Sequence, residues 1–185
     1  MKRFAAGESR AFRTMLAAKD EDVTAHTYET TVTWSAGDGL GTANYRSYSR
    51  NHAIEAVGKE AIAASSDPAF RGERDRYNPE ELFVAALSSC HMLWYLHLCA
   101  VNGVVVRAYR DAATGRLQME RDGSGQFVEV ELHPVVTIAA QSNRARALAL
   151  HGEAHRLCFL ARSVNFPVQV RAEMGSVRLE DEHDE

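Results

Sequence analysis

The chain has 185 residues, 45% of them hydrophobic and 25% charged, with a formal net charge of -4. That length suits one globular domain with its own core, and the mildly negative balance leaves no electrostatic footprint for nucleic acid, which needs clustered cations. The apolar runs Leu82–Leu87 and Met92–Val101 are separated by polar residues, and each falls short of the roughly 20 residues needed to span a bilayer, so a soluble protein with no membrane contact is expected.

Residues 1–22 are charged and lack a sustained period or a secretory apolar run, and residues 177–185 are mostly acidic. The reading is a frayed N-terminal extension, one domain over 23–176 and a solvated acidic tail. Three cysteines, Cys90, Cys99 and Cys158, are too few for the disulfide framework of a small secreted domain. A reducing cytoplasm is expected, where a cysteine pair is redox-active or metal-binding rather than a staple.

The run His26 to Trp34 is rich in Thr, Tyr and Val and is followed by Gly37, Gly39 and Gly41. It reads as strand, glycine turn and a return strand over Ala43 to Arg50. Ile54, Val57 and Ile62 suggest a further short strand before a long charged loop reaching Arg76. Asn78 is an N-cap, Pro79 suits the first helical position, and Glu81 completes a capping box. The helix that starts there runs to a stop at Asn102-Gly103, roughly 23 residues and about 35 Å long. It is apolar almost all round, so burial on most sides is expected.

Strands follow at Val104–Tyr109, Leu117–Glu120 and Phe127–Ala139, the last two joined by an Asp122-Gly123 turn. Val128, Val130 and Leu132 alternate with Glu129, Glu131 and His133, the period of a half-buried strand. Ser142 is the expected cap of a second helix reaching about Arg162 and carrying Cys158 near its end, and Phe166–Glu173 reads as a closing strand. Strands, long helix, strands, helix, strand is the order of an α+β fold.

A cysteine on an apolar helix is by default an inert small hydrophobe. Cys90 lies about twelve residues into its helix, too far for the N-terminal dipole to lower its pKa; a cation must come from elsewhere. Glu80 falls about 80° from Cys90 around the helix, while Glu81 lies on the opposite side. Glu80 helps a thiolate only by holding an arginine. Cys99 sits about 180° from Cys90 and reads as core. Cys158 shares a face with His155 and His151; zinc is conceivable there, but with no C-x-x-C pair or H-E-x-x-H the two histidines read as solvated helix surface.

The segment Asn78-Pro79-Glu80-Glu81-Leu82 through Ser88-Ser89-Cys90 resembles the NPEEL...C helix of the OsmC/Ohr family of osmotically inducible and organic hydroperoxide resistance proteins. Ala154-His155-Arg156-Leu157-Cys158 followed by Ser163-Val164-Asn165-Phe166-Pro167-Val168 resembles the second-cysteine helix and closing strand of that family. Two separated motifs in the same order are more specific than either alone, and the likeness covers roughly residues 26–175.

The resemblance implies an OsmC-like intertwined homodimer with two active sites at its interface. It assigns Cys90 as peroxidatic cysteine, Cys158 as resolving cysteine and Glu80 as the carboxylate that orients a catalytic arginine. Phe70-Arg71, before the helix, is similar to the OsmC branch and makes Arg71 the expected arginine, with Arg50 and Arg46 as substitutes. The implied function is a thiol-dependent peroxidase acting on organic hydroperoxides, and less well on hydrogen peroxide. Its partners are the hydroperoxide and an external dithiol reductant, with no cofactor or metal. The apolar side chains Phe83, Leu87, Trp94 and Phe159 would suit an organic substrate, although each also reads as ordinary packing. The alternative class is a non-catalytic redox sensor or ligand-binding dimer of the same fold.

Overall fold

A computed structural model describes residues 25–175, and the expected extension at 1–22 and acidic tail at 177–185 lie outside the described residues. The chain forms two compact units that divide between Phe83 and Val84.

The first unit, Val23–Phe83, holds an antiparallel sheet of β1 (Thr31–Thr33), β2 (His52–Glu55) and β3 (Ile62–Ala64) in that order. The return strand expected over Ala43 to Arg50 is not there; β2 takes its place. The intervening residues spend their polar groups locally, which competes with a ladder. Asn44 Oδ1 accepts from the Arg46 amide at 2.9 Å, and Ser47 Oγ donates to the Gly41 carbonyl at 2.7 Å. The Arg50 guanidinium donates to the carbonyls of Tyr48 at 2.5 Å and Tyr45 at 2.8 Å. The charged loop before the long helix contains a single 3-10 turn, Pro68–Phe70, whose Ala69 amide donates to the Asp67 side chain.

The long helix, α1 (Pro79–Val101), has the expected bounds. Its capping box is closed: Asn78 Oδ1 accepts from the Glu81 amide at 2.8 Å and Glu81 Oε2 from the Asn78 amide at 3.1 Å. It ends where Gly103 takes φ 70, a conformation glycine adopts without a Cβ penalty. The expectation of burial on most sides fails. One stripe, Leu87, His91, Tyr95, Leu98 and Cys99, is buried, while Leu93 is 63% exposed. The two apolar runs, each short alone, also average over the whole helix to a segment long and apolar enough by composition to cross a membrane, which corrects the sequence expectation. In this fold its buried stripe packs against strands and a second helix.

The second unit continues with β4 (Val106–Asp111), β5 (Thr114–Met119), β6 (Gly125–Leu132), β7 (Pro134–Ile138), α2 (Arg144–Leu157), β8 (Val168–Val170) and β9 (Glu173–Met174). The sheet orders are β4-β7-β9 and β5-β6-β8, antiparallel except that β8 and β9 join in parallel. The single strand expected over Phe127–Ala139 is two strands in two sheets. Pro134 lacks an N–H, and the His133 amide donates to the Asp111 side chain, at 2.7 Å to Oδ1, instead of to a strand carbonyl. The closing strand likewise splits into β8 and β9. The cap of α2 is Asn143, which accepts from the Arg146 amide at 2.9 Å; Ser142 Oγ instead accepts from the Val105 amide at 2.9 Å. One core cluster joins Tyr95, Leu98 and Cys99 of α1 to Val136 and Ile138 of β7 and Ala147, Leu150 and Ala154 of α2. Leu87 with Val130 and Leu132 of β6 forms the other.

Candidate active site

Cys90 lies midway along α1, half-buried, and Cys158 ends α2, 1% exposed. The structure brings these two sulfurs within hydrogen-bonding reach of each other, with no disulfide between them. The α2 helix stops at Leu157, short of the expected Arg162, because Cys158 turns to extended ψ as the C-cap, its amide donating to the Ala154 carbonyl at 2.8 Å. A 3-10 turn, Ala161–Ser163, follows. That turn directs the amides of Leu160 and Ala161 at the Cys158 sulfur, which favours its thiolate, but burial outweighs them. Burial first, and then the hydrogen bond to Cys90, push the Cys158 thiol up to about 11.

Cys99 is buried at 1% exposure on the far side of α1, where burial again raises its thiol. It is core, as the helical spacing indicates.

Two contacts flank the cysteine pair. Trp94, one turn after Cys90, meets Phe159 edge-on at 5.4 Å between ring centroids. His91 and His151, 0% and 4% exposed, face each other with Nε2 to Nδ1 at 3.1 Å. Tyr95 stacks on His151 at 3.8 Å and 12°. Desolvation by burial holds both imidazoles down to about 4; His155 lowers His91 further, and the Asp111 carboxylate partly offsets this. The reading of His151 as solvated surface is therefore wrong. The signal was available: His91 falls on the same 3-4 spaced stripe as Leu87, Tyr95 and Leu98, and His151 on that of Ala147, Leu150 and Ala154.

Leu87 belongs to the core at 1% exposure, while Trp94 and Phe159 are the apolar neighbours of the two cysteines. Ser88 Oγ donates to Asp111 Oδ2 at 2.6 Å, tying α1 to β4 two residues before Cys90. Among the described residues no group of three metal-ligating side chains converges.

Arg71 and Glu80 belong to the first unit. Arg71 takes φ 70 at the end of the Pro68–Phe70 turn, with its guanidinium 6.0 Å from the Tyr45 ring. Gly72 after it is obligatory, since a Cβ there would lie 1.5 Å from the Ser66 carbonyl oxygen. Among the described residues Arg71 forms no ion pair, and Glu80 Oε2 is buried without a hydrogen-bond partner. Arg50, by contrast, spends its guanidinium on two carbonyls and on the rings of Tyr48 and Tyr45, at 3.8 and 4.7 Å.

An α+β fold with a cysteine in mid-helix against a second at the end of another helix defines a two-thiol protein of the OsmC/Ohr type. Residues 72–173 match a family model described as OsmC-like protein, and the chain belongs to that family. Among solved structures, an OsmC-like protein of unknown function from Vibrio cholerae is 33% identical, with 80% of this chain and 100% of that one covered and a TM-score of 0.74. An organic hydroperoxide resistance protein from Elizabethkingia anophelis is 20% identical, covering 83% of this chain and 98% of its own, with a TM-score of 0.60. One from Bacillus subtilis is 19% identical, with 81% and 98% covered and a TM-score of 0.53. At these last two identities the likeness is one of fold. Comparison with curated protein sequences finds no match.

Proposed function

We propose that the chain is a thiol-dependent peroxidase that reduces organic hydroperoxides through Cys90 and closes a Cys90–Cys158 disulfide. The observation that carries this reading is the contact of a half-buried thiol with a fully buried one whose pKa is pushed up to about 11. A thiol that burial keeps protonated is a poor nucleophile, so the attacking thiolate is assigned to the more accessible Cys90. Attack of that thiolate on the peroxide breaks the O–O bond; with one proton taken up, the products are an alcohol and a Cys90 sulfenic acid. Condensation with the Cys158 thiol releases water and forms the disulfide, which shields Cys90 from sulfinic oxidation. An external dithiol, oxidised in turn, restores both thiols. No cofactor is needed for these steps.

Arg71 is proposed as the cation that holds the Cys90 thiolate and stabilises the leaving alkoxide, and Glu80 as its anchor. The choice over Arg50 is supported by how the two guanidiniums are spent, and a buried carboxylate oxygen without a donor suits a guanidinium as partner. The test is steady-state reduction of cumene, tert-butyl and hydrogen peroxides with dithiothreitol and dihydrolipoamide as reductants. Turnover lost in Cys90→Ser and organic peroxides preferred over hydrogen peroxide are expected; a chain that is oxidised once without turnover would make it a sensor, not an enzyme.

A further inference from the structure

We propose that the His91–His151 pair is a positioning device for the disulfide: it fixes the register of α1 against α2 so that the Cys90 sulfur meets that of Cys158. This rests on the two-cysteine reading above.

The placement is the first argument. His91 directly follows Cys90, and His151 precedes Cys158 by seven residues, two helical turns and about 20° short of the same angular position. The 3.1 Å hydrogen bond between the rings therefore pins the two helices beside one sulfur and on the face of the other. Tyr95, one turn beyond His91, stacks on the far ring at 3.8 Å and prevents it from swinging. The Trp94–Phe159 contact closes the other flank. A disulfide needs Cβ atoms about 3.5–4.5 Å apart, whereas one residue of helical slip displaces a side chain by about 1.5 Å and 100°. Small errors of register are enough to separate the sulfurs.

The chemistry of the pair is the second argument. Two neutral imidazoles sharing one hydrogen bond use one N–H and leave the other ring's N–H over, in either tautomeric arrangement. His91 Nδ1 and His151 Nε2, the outward nitrogens, have no hydrogen-bond partner among the described residues. An orphaned buried donor lowers stability, and two apolar side chains of like volume would fill the space without that loss. The pair is thus a poor device for stability and a good one for register, because apolar surfaces slide while a hydrogen bond has one geometry.

The test is equilibration of the full-length protein with glutathione, which needs no peroxide. The two thiols reduce one glutathione disulfide to two glutathione thiols, both protons passing to them, and the equilibrium constant reports how well Cys90 and Cys158 are aligned. Peptide mapping identifies the bond, and thermal unfolding establishes that each variant is folded. His91→Phe/His151→Phe is expected to lower the constant tenfold or more. The amide pair His91→Gln/His151→Asn, which can restore a hydrogen bond at the same atoms, is expected to recover most of it. Equal constants in the native protein and a folded Phe/Phe variant would overturn the inference and leave the two-cysteine reading standing. Failure of the native protein to form the Cys90–Cys158 bond would overturn both. Should the Phe/Phe variant not fold, His151→Leu against His151→Asn carries the same comparison, with equal constants again the overturning result.

Discussion

The thiol of Cys158 donates toward Cys90 from a site with 1% exposure, while Cys90 itself is half-buried. The two sulfurs share one contact but not one environment. Iodoacetamide should therefore modify Cys90 in the folded protein and leave Cys158 and Cys99 untouched until urea is added. Since the hydrogen bond to Cys90 contributes to raising Cys158, Cys90→Ala should lower the Cys158 titration, although burial keeps it above the ordinary thiol range. Mass spectrometry of alkylation against pH reads both effects; equal labelling of Cys90 and Cys158 in the native state would contradict the geometry.

The buried imidazoles make stability depend on pH. His91 and His151 titrate near 4 when folded and near 6.5 when unfolded, so below pH 6.5 the unfolded chain binds protons that the native state refuses. Stability from this source is fully present above pH 6.5 and is lost progressively as pH falls to 4, by about 1.4 kcal/mol per pH unit for each histidine. The urea midpoint should drop steeply between pH 6.5 and 5. His91→Phe/His151→Phe should flatten that slope, and an unchanged slope would place the acid sensitivity elsewhere.

The exposed side of α1 bears on assembly. Leu93 and Phe159 are each 63% exposed, and Val105 is 41% exposed. Apolar side chains left exposed in this way favour self-association, and symmetric dimers are the commonest form. Sedimentation at micromolar concentration should give a dimer, with Leu93→Glu shifting it toward monomer. A monomeric native protein at that concentration would overturn the dimer that the resemblance implies.

Much of the fold was legible from local rules. The α1 bounds follow from Asn78, Glu81 and Gly103, each acting through its own backbone neighbours, and the Asp122-Gly123 turn is where the sequence puts it, with Gly123 at φ 91. What was not legible depended on distant partners. Residues 43–50 have strand-compatible side chains but bond among themselves, and His133-Pro134 changes sheets because Asp111, 22 residues earlier, captures an amide. The Cys90–Cys158 contact was reached through resemblance alone, since no spacing rule joins two helices so far apart in the chain. The His91–His151 pair was not legible because no spacing rule joins histidines on two helices, and His151, expected at the surface, falls on the buried stripe of its helix.

The arginine separates an activated thiolate from an ordinary one. Arg71→Ala leaves the backbone demand at φ 70 unchanged, because both residues carry a Cβ. Its effect thus reports the guanidinium. If Arg71 acts on Cys90, that variant should raise the pH at which Cys90 alkylates toward about 8.5 and slow cumene hydroperoxide reduction by about 100-fold or more, the loss typical for one oxyanion donor. Glu80→Ala should do less, since the cation remains and only its anchor is gone. Arg50→Ala should behave in the opposite way, removing two carbonyl contacts and two ring contacts and thereby weakening the first unit without moving the Cys90 titration. Alkylation rate against pH and peroxide turnover, measured on all three variants, decide the matter. A shift in Arg50→Ala with none in Arg71→Ala would transfer the role to Arg50, and no shift in either would end the arginine-held thiolate as the basis of the mechanism.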